Sequence, residues 1–255
     1  MRNMMLNEFS RTEMLLGKQA MQVLADSRVA VFGLGGVGSY AAEALARAGV
    51  GHLVLVDDDR ICLTNINRQL HAAHSTIGQL KVDAMRSRIL DINPDVEVET
   101  FQTFYNSDCA EQLVRSDYNY IIDAIDTVSS KLELVVNAQA KAIPIICSMG
   151  TGNKLDPSRL EIADIYATSV CPLAKVMRHE LRKRGVKALQ VVYSREEPLV
   201  PILAEDVDCN TGCVCPPGST RPCTARRQIP GSISFVPPVA GLLMSGQVIS
   251  DLIAR

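Results

Sequence analysis

A run of glycines between an apolar strand and an alanine-rich helix constrains the fold of this chain more than any other feature. Residues 29–59 read VAVFGLGGVGSYAAEALARAGVGHLVLVDDD, in which Gly33, Gly35 and Gly38 have the spacing G-x-G-x-x-G. In this spacing the first glycine permits a sharp turn, the second lets backbone approach a phosphate, and the third lets the helix lie close to the strand. The segment therefore predicts a strand–turn–helix–strand unit whose helix amino terminus faces an anion.

The rest of the chain extends this unit into an α/β fold. Helical patterns alternate with strand-like runs such as HLVLVDD, YNYIIDAID and IPIICSMG up to about residue 150. This alternation is typical of a Rossmann-like, doubly wound, mostly parallel sheet that binds ligands at the carboxyl ends of its strands. Helical SDCAEQLVR and strand-like VEVETFQ, RLEIADIYAT and LQVVYS complete the pattern, and Pro237-Pro238 starts a last helix. We predict one domain over 1–255, with a nucleotide-binding half at 1–150 and additional strands of the same sheet in the extension at 151–255.

Composition excludes several classes of protein. The 255 residues are 47% hydrophobic and 21% charged, which suits a chain with a large core, and the net charge of −2 excludes a uniformly basic surface. The amino terminus lacks an apolar core followed by a small-residue cleavage site. The run FVPPVAGLLMSGQVISDLIA is too short and too interrupted by prolines and polar residues for a bilayer span. We predict a cytoplasmic protein without a membrane segment, in which thiols stay reduced.

Polar residues after the second predicted strand indicate which nucleotide is bound. Asp57 lies nineteen residues beyond Gly38, where a carboxylate accepts hydrogen bonds from ribose hydroxyls. The segment DDDRICLTNINRQLHAAHSTIGQLKVDAM then contains Arg68 and Lys81. Two cations beside a phosphate site suit a triphosphate whose charge develops at a departing pyrophosphate, rather than a redox dinucleotide. The alternatives are a glycine turn without a ligand and basic side chains that are only solvated surface charges.

Two carboxylates and two histidines also lie near the expected site. The motif DAIDTVSSK ends a strand, and Asp126 at the strand tip is the better ligand for a Mg²⁺ held against phosphates. We expect Asp123 to be structural, as a turn or cap group. His71 and His74 follow Arg68, and we expect both on the polar surface.

These motifs together resemble the ubiquitin-activating-enzyme-like superfamily, which includes the bacterial adenylyltransferases of thiamin and molybdopterin synthesis. The resemblance rests on the glycine segment, NINRQ, TIGQLKV, INP and DAIDT, and covers residues 11–150. It implies that the domain over 1–255 is an adenylating domain, in which ATP joins a carboxylate to AMP. The implied nucleotide-binding residues are Gly33, Gly35, Gly36, Gly38, Asp57, Asp59, Asn65, Arg68, Gln69, Lys81 and Asp126.

The same resemblance implies a role for individual residues. Asp57 is similar to the ribose-binding aspartate, and Asp126 to the magnesium-associated one. Asn65, Arg68 and Lys81 are similar to the polyphosphate-binding set. Arg11, in SRTEMLLG, resembles an arginine that family dimers insert into the partner's site, which implies a homodimer. The implied catalytic residues are Arg11, Arg68, Lys81 and Asp126.

The second half resembles the branch of this superfamily that acts on tRNA, the threonylcarbamoyladenosine dehydratases. The similar segments are AIPIICSMGTGNKLDPSRLEIADIYATSVCPLAKVMRHELRKRG, VVYSREEP and IPGSISFVPPVAGLLMSG. The resemblance implies that ATP activates the carboxylate of a threonylcarbamoyl group beside the anticodon. The group's own carbamoyl nitrogen or oxygen then closes a ring, and water is formally lost. Intramolecular closure needs no enzyme nucleophile.

A basic segment in the second half is a candidate tRNA contact. KVMRHELRKRGVK contains the basic residues Lys175, Arg178, Arg182, Lys183, Arg184 and Lys187. Lys175 and Arg178, and Arg178 and Arg182, share a helical face. Such a patch holds phosphate backbone without reading sequence. The alternative is a solvated helix face, and the resemblance favours tRNA.

The cysteines leave two questions open. Related activating enzymes pass an acyl group to a cysteine in the region of Cys171, but cyclisation does not require it and no neighbouring histidine supplies a base. In the Cys-rich loop 209–223, a Zn²⁺ site and a reduced loop are equally compatible with the spacing. The four cysteines of that loop are Cys209, Cys213, Cys215 and Cys223.

Three other functions compete with the dehydratase. Adenylation of a ubiquitin-like sulfur carrier is disfavoured because the paired C-x-x-C sites common in those relatives are absent from the sequence. A nucleotide-sensing tRNA-binding module without turnover is disfavoured by the presence of Arg68, Lys81 and Asp126. A dehydrogenase is the weakest of the three because no second catalytic domain is recognisable. A sulfur-relay protein as partner stays open.

Overall fold

A seven-stranded sheet organises the molecule, in the order β3-β2-β1-β4-β5-β7-β6. The computed structural model describes residues 6–202 and 230–254. All neighbouring strands are parallel except β6, which pairs antiparallel with β7. The strands are β1 Arg28–Phe32, β2 His52–Val56, β3 Glu97–Phe101, β4 Tyr120–Asp123, β5 Ile145–Ser148, β6 Leu160–Asp164 and β7 Gln190–Ser194. The predicted mostly parallel sheet is confirmed, and β6 and β7 extend it as expected.

Helices cover both faces of this sheet. They are α1 Ser10–Asp26, α2 Gly38–Ala48, α3 Lys81–Ile92, α4 Ala110–Leu113, α5 Val128–Ala140, α6 Pro172–Lys183 and α7 Val236–Ile253. The predicted helix SDCAEQLVR is reduced to the four residues of α4. The side chain of Asn106 accepts hydrogen bonds from the backbone N–H groups of Asp108 and Cys109, at 3.0 and 3.3 Å, and so holds this stretch in a turn.

Alternation along the strands divides the core into two layers. In β1, Val29 and Val31 pack on the face covered by α2, α3 and α7, whereas Ala30 and Phe32 pack on the face covered by α5 and α6. Successive side chains of a strand point to opposite faces, so a strand that is apolar throughout must be covered on both sides. The carboxyl ends of the strands are thereby fixed as one edge, where the loops that follow β1, β2, β4 and β5 meet.

The last helix belongs to the core. It begins at Val236 with prolines in its first turn, as predicted, because proline has no N–H to lose there. Gly241 lets it lie against α2, since a Cβ at Gly241 would be 2.3 Å from the carbonyl oxygen of Val37. We expected this run to be too short and polar for a membrane span. Its 18 residues and hydropathy of 1.3 in fact meet the length and composition of one, yet half of it is buried in the fold.

Candidate nucleotide-binding site

The glycine turn after β1 has no room for a side chain at two of its positions. Gly33 has φ +87°, and a Cβ there would lie 2.7 Å from the carbonyl oxygen of Ala124. A Cβ on Gly38 would lie 1.8 Å from the carbonyl oxygen of Gly33. A Cβ on Gly35, by contrast, would meet nothing within 4 Å. Gly33 and Gly38 therefore have the structural roles that the motif predicts, and Gly35 borders open space.

Gly36 serves a different purpose from its neighbours. A Cβ at this position would lie 3.0 Å from Cβ of Pro237 and 3.3 Å from Cγ of Arg68. The absence of a side chain thus lets the start of α7 and the Arg68 side chain approach the glycine turn together. The turn is consequently in contact with both halves of the chain.

Asp57 ties the end of β2 to the glycine turn. Its Oδ2 accepts a hydrogen bond from the backbone N–H of Leu34 at 2.6 Å, and its Oδ1 accepts one from the backbone N–H of Asp59 at 2.9 Å. The predicted ribose-binding carboxylate therefore lies directly beside the glycine turn. Sequence reasoning did not single out Leu34, because a backbone donor leaves no trace in residue type.

Lys81 lies between two carboxylates at the start of α3. Its Nζ is 2.7 Å from Oδ2 of Asp59 and 3.5 Å from Oδ1 of Asp57, and the lysine side chain is only 6% exposed. Burial lowers the pKa of Lys81, but the charges of Asp57 and Asp59 outweigh burial and raise this pKa above its ordinary value. The side chain is a fixed buried cation, and the alternative of a solvated surface charge is wrong for Lys81.

Arg68 and its neighbours form a turn beside the glycines. Nη1 of Arg68 donates hydrogen bonds to the carbonyl oxygen of Thr64 and to Oδ1 of Asn67, both at 2.9 Å. The side chain of Asn65 accepts a hydrogen bond from the backbone N–H of Cys62 at 3.0 Å and shapes the same turn. Gln69 is 6% exposed, and its buried Oε1 has no hydrogen-bond partner within the described residues. An oxygen in that position can accept a hydrogen bond from a ligand or a water molecule.

His71 is buried, which makes the expectation of a surface position wrong. It is 4% exposed, and its Nε2 lies 3.0 Å from the carbonyl oxygen of Leu34. Burial, together with the positive charge of Lys81, lowers the pKa of His71 to about 4, so the ring is neutral at pH 7 and Nε2–H donates to that carbonyl. His74 is exposed, as expected. The turn that carries His71 folds back under the glycine turn, and no sequence pattern reports this tertiary contact.

The two aspartates of the DAIDT motif have different environments. Asp123, at the end of β4, forms an ion pair with Lys131 of α5 at 2.8 Å, and both side chains are 0% exposed. It also accepts a hydrogen bond from the backbone N–H of Ile125 at 3.0 Å, so the expected structural role is supported. Asp126 is exposed just beyond the strand, near enough that its charge raises the pKa of Lys81.

Metal-binding groups at this edge are carboxylates. Within the described residues, the one cluster of three possible metal ligands is Asp57, Asp58 and Asp59, whose ligand atoms lie within 4.8 Å of one another. The ammonium of Lys81 contacts two of these aspartates, and its single charge offsets one of their two negative charges. The assignment of Mg²⁺ to Asp126 stays a prediction. The four cysteines considered for Zn²⁺ lie outside the described residues.

The predicted nucleotide-site residues come together at the carboxyl edge of three adjacent strands, β2, β1 and β4. Arg11 does not join them within the chain. It is exposed in the first turn of α1 and makes no hydrogen bond or ion pair with the parts of the chain that the structure describes. An arginine placed in this way is available to another molecule.

The basic residues of α6 are mostly engaged with their own chain. Lys183 and Arg184 both pair with Glu180, at 2.8 and 2.7 Å, and Arg178 donates to the carbonyl and hydroxyl oxygens of Thr168. The guanidinium of Arg182 lies over the ring of Tyr166, 5.0 Å from its centroid. Lys175 is exposed. The positive charge that remains available on this helix is smaller than the sequence indicates.

Cys171 precedes α6 and is 1% exposed. A Cβ on Gly150, beyond the end of β5, would lie 3.7 Å from its Sγ. The thiol is thus packed inside the carboxyl edge of the sheet, next to the loop that follows β5. In this position it is a core side chain rather than an exposed nucleophile.

Comparison with known proteins identifies the family of the chain. A ThiF family profile matches residues 9–253. The tRNA threonylcarbamoyladenosine dehydratase of Bacillus subtilis (strain 168) is 48% identical over 250 residues, which cover 98% of this chain and 96% of that protein. The crystal structure of the Escherichia coli tRNA N6-threonylcarbamoyladenosine dehydratase in complex with AMP has a TM-score of 0.84 and 30% identity, covering 97% of this chain and 94% of that chain.

More distant relatives match less of the sequence. The molybdopterin-synthase adenylyltransferase of Salmonella typhimurium is 33% identical over 128 residues, which cover 50% of this chain and 51% of that protein. A match of that length covers half of this chain, whereas the match to the Bacillus subtilis dehydratase covers nearly all of it. This chain belongs to the ThiF family.

Proposed function

We propose that the chain is a tRNA threonylcarbamoyladenosine dehydratase that uses ATP to cyclise the modified adenosine beside the anticodon, in the cytoplasm. The observation that carries this proposal is the 48% identity to the Bacillus subtilis enzyme over 98% of the chain. The arrangement of cations and carboxylates at the carboxyl edge of the sheet supports it, as does the solved complex of the Escherichia coli enzyme with ATP, at a TM-score of 0.82 and 31% identity.

The chemistry follows from the poor reactivity of a carboxylate. An oxygen of the threonyl carboxylate attacks the α-phosphorus of ATP, and pyrophosphate leaves. The carbamoyl group then attacks the acyl carbon, and AMP leaves with the former carboxylate oxygen. One water is lost overall, and its oxygen ends in AMP. Binding both reactants in one site makes the first step effectively unimolecular, and the second step is unimolecular already.

Each residue at the edge has a distinct proposed task. Asp57 accepts hydrogen bonds from the ribose, and Arg68 and Lys81 neutralise the triphosphate, with Asn65 and Gln69 beside them. Asp126 holds the Mg²⁺ that accompanies the phosphates. The raised pKa of Lys81 supports this assignment, because the ammonium then stays charged throughout the reaction.

We further propose a homodimer in which Arg11 reaches the partner's nucleotide site. Three apolar side chains near Arg11 are left in solvent: Leu6, Met14 and Leu15 are 91%, 87% and 86% exposed. A second copy that covered them would remove this apolar surface from water. The exposed position of Arg11 in the same helix supports its role across the interface.

The proposed tRNA contact is the exposed side of α6. Lys175 and Arg182 are the strongest contributors, since Lys183 and Arg184 share the charge of Glu180. Phosphate contacts of this kind set orientation rather than sequence preference. Arg178 supports the surface from beneath through Thr168. A sulfur-relay partner and a Zn²⁺ site in the loop 209–223 stay predictions.

The direct test uses tRNA that carries threonylcarbamoyladenosine. Enzyme, ATP, Mg²⁺ and this tRNA are incubated, the tRNA is digested to nucleosides, and the masses of the nucleosides are measured by mass spectrometry. We expect the modified nucleoside to lose the mass of one water with wild type and to stay unchanged with Asp126→Ala. An unchanged nucleoside with wild type, together with pyrophosphate exchange that depends on a ubiquitin-like carrier, would instead support the sulfur-carrier function.

A further inference from the structure

A third buried lysine lies outside the nucleotide site and lacks the partners of the other two. Lys81, Lys131 and Lys154 are 5%, 0% and 3% exposed. Lys81 and Lys131 each lie within 2.8 Å of an aspartate oxygen. Lys154 forms no ion pair with any described residue, and its Nζ donates one hydrogen bond, at 2.6 Å, to the carbonyl oxygen of Glu196. A buried ammonium without a counter-ion is costly, and such groups tend either to become neutral or to serve a function.

The backbone places Lys154 at the carboxyl edge of the sheet. The loop 149–154 follows β5, which is the immediate neighbour of β4 and hence of the loop that carries Asp126. Asn153, directly before the lysine, has φ +58°, a left-handed conformation that asparagine adopts more readily than most residues with a side chain. The loop that carries Lys154 therefore lies at the same edge of the sheet as the nucleotide site, on the side of β5 and away from the ribose end at β2.

The same loop contacts the segment that leads into α7. The backbone N–H of Asn153 donates to the carbonyl oxygen of Gly231 at 2.8 Å, and the N–H of Gly231 donates to Oδ1 of Asn153 at 2.6 Å. One residue further along, the carbonyl oxygen of Ser232 accepts a hydrogen bond from Nδ2 of Asn67, the neighbour of Arg68. A continuous chain of contacts thus connects Lys154 with the proposed triphosphate site.

Two titratable groups act on Lys154. Burial lowers the pKa of Lys154, and the nearby thiol of Cys171 and carboxylate of Glu196 oppose this shift without cancelling it. The Glu196 carboxylate itself accepts hydrogen bonds from the backbone N–H groups of Leu155 and Asp156. A lysine whose pKa is lowered gives up its proton more readily than an ordinary lysine, which suits a group that accepts a proton in the reaction.

We propose that Lys154 is the general base of ring closure and accepts the N–H proton that the carbamoyl group loses when it attacks the acyl adenylate. This inference rests on the proposed function. The new bond joins the carbamoyl nitrogen or oxygen to the acyl carbon, the bond from that carbon to the AMP oxygen breaks, and AMP leaves as the phosphate anion. In either mode of attack one carbamoyl N–H proton is lost, and it moves to Nζ of Lys154. The transfer requires the carbamoyl nitrogen that bears the proton to lie ~2.6–3.2 Å from Nζ of Lys154.

The test separates activation of the carboxylate from ring closure. Lys154→Met and Lys154→Arg are compared with wild type in two assays: exchange of pyrophosphate into ATP that depends on modified tRNA, and loss of water from the nucleoside. Lys141→Met is the matched control, because Lys141 also donates to a backbone carbonyl, that of Val114, but is exposed at the opposite edge of the sheet.

We expect both Lys154 variants to keep pyrophosphate exchange within about twofold and to lose ring closure by ~100-fold or more, the range of general-base catalysis. Lys141→Met should match wild type in both assays. Ring closure at the wild-type rate in Lys154→Met would overturn the proposal. So would rescue by Lys154→Arg, since arginine keeps a positive charge but cannot accept the proton. Equal loss of exchange and ring closure in both variants would also overturn it, because it would indicate a structural role.

A measurement on the unmodified enzyme keeps the proposal testable if a variant does not fold. The single-turnover rate of ring closure in wild type should rise with pH through one apparent pKa below that of an ordinary lysine. A rate independent of pH would contradict a lysine base. Failure of wild type to remove water from the modified nucleoside would instead refute the proposed function, which is a distinguishable result.

Discussion

Nζ of Lys81 lies 2.7 Å from Oδ2 of Asp59, and the same ammonium is 3.5 Å from Oδ1 of Asp57. The lysine thus pairs with two carboxylates at the end of β2, and its single charge offsets one of their two negative charges. A triphosphate that approaches Lys81 meets a cation whose position is already set, and less reorganisation is needed when charge develops on the departing pyrophosphate. Because these ion pairs are buried, the site also contributes to the stability of the fold.

Lys81→Met should therefore weaken both the fold and the activity. The substitution leaves two neighbouring carboxylates without their cation, and breaking a buried pair costs about 3–5 kcal/mol in unfolding free energy. Unfolding in denaturant measures the loss, and the double variant Asp59→Asn, Lys81→Met should recover part of it. An unfolding free energy equal to that of wild type would contradict the role of this lysine.

Two substitutions in the glycine turn should have opposite effects. Gly35→Ala adds a Cβ in open space, so the protein should keep its melting temperature but bind ATP at least ~10-fold more weakly, because the methyl group occupies the path of a phosphate. Gly38→Ala places a Cβ 1.8 Å from the carbonyl oxygen of Gly33 and should unfold the turn.

Calorimetry and thermal melts measure the two effects separately. Tight ATP binding by Gly35→Ala would show that phosphate does not approach there. A normal melting temperature for Gly38→Ala would show that the helix does not need to lie so close to the strand.

His71 should make stability depend on pH below 6.5. The pKa of His71 is about 4 in the folded protein and near 6.5 in the unfolded chain. Between pH 6.5 and pH 4, therefore, the unfolded chain binds a proton at His71 and the folded chain does not. Stability is thus lost as pH falls through this window, by on the order of 3 kcal/mol for this residue. His71→Gln keeps a donor for Leu34 without titrating.

The difference in unfolding free energy between wild type and His71→Gln should accordingly shift against wild type between pH 6.5 and pH 4, and stay constant below. Parallel curves for the two proteins, or an NMR titration of His71 near its ordinary pKa, would show that the ring is not held neutral by burial.

Arg11 and Asp126 should complement each other across a dimer. Arg11→Ala and Asp126→Ala are each expected to be inactive as pure proteins. After subunit exchange, half of the dimers are mixed, and one of the two sites in a mixed dimer has both residues intact. The mixture should recover about a quarter of wild-type activity. No recovery, despite mixed dimers detected by mass, would mean that Arg11 acts within its own chain or not at all.

Local sequence determines the parts of the structure that were predictable. Gly38 is required by a contact within one strand–turn–helix unit, and Gly33 by its positive φ. Strands buried on both faces read as continuous apolar runs, so these features appear as patterns in the chain. Asp57 and Lys81 were also identified, because ordered motifs carry them. Cys171 and the four late cysteines could not be assigned from their spacing.

The features that sequence reasoning missed depend on tertiary contacts. His71 was expected at the surface, and only the tertiary contact of its ring with the carbonyl oxygen of Leu34 shows that it is buried. Helix α4 is shorter than expected because the Asn106 side chain accepts hydrogen bonds from the backbone N–H groups of Asp108 and Cys109. Lys154, in GTGNKLDP, lies within the segment that resembles the dehydratases, but only its burial and its lack of an ion pair among the described residues distinguish it from surface lysines. The charge of α6 was overestimated, because pairing with Glu180 is a matter of which residues face each other after folding.

The central claim is that a carboxylate becomes reactive by bonding to AMP, and isotope transfer tests it most directly. Modified tRNA labelled with ¹⁸O in the threonyl carboxylate is converted with ATP, Mg²⁺ and enzyme, and the nucleotide products are analysed by mass. The account predicts one ¹⁸O atom in the phosphate of AMP for each nucleoside that loses water. Unlabelled AMP, or ¹⁸O found in inorganic phosphate beside ADP, would contradict it.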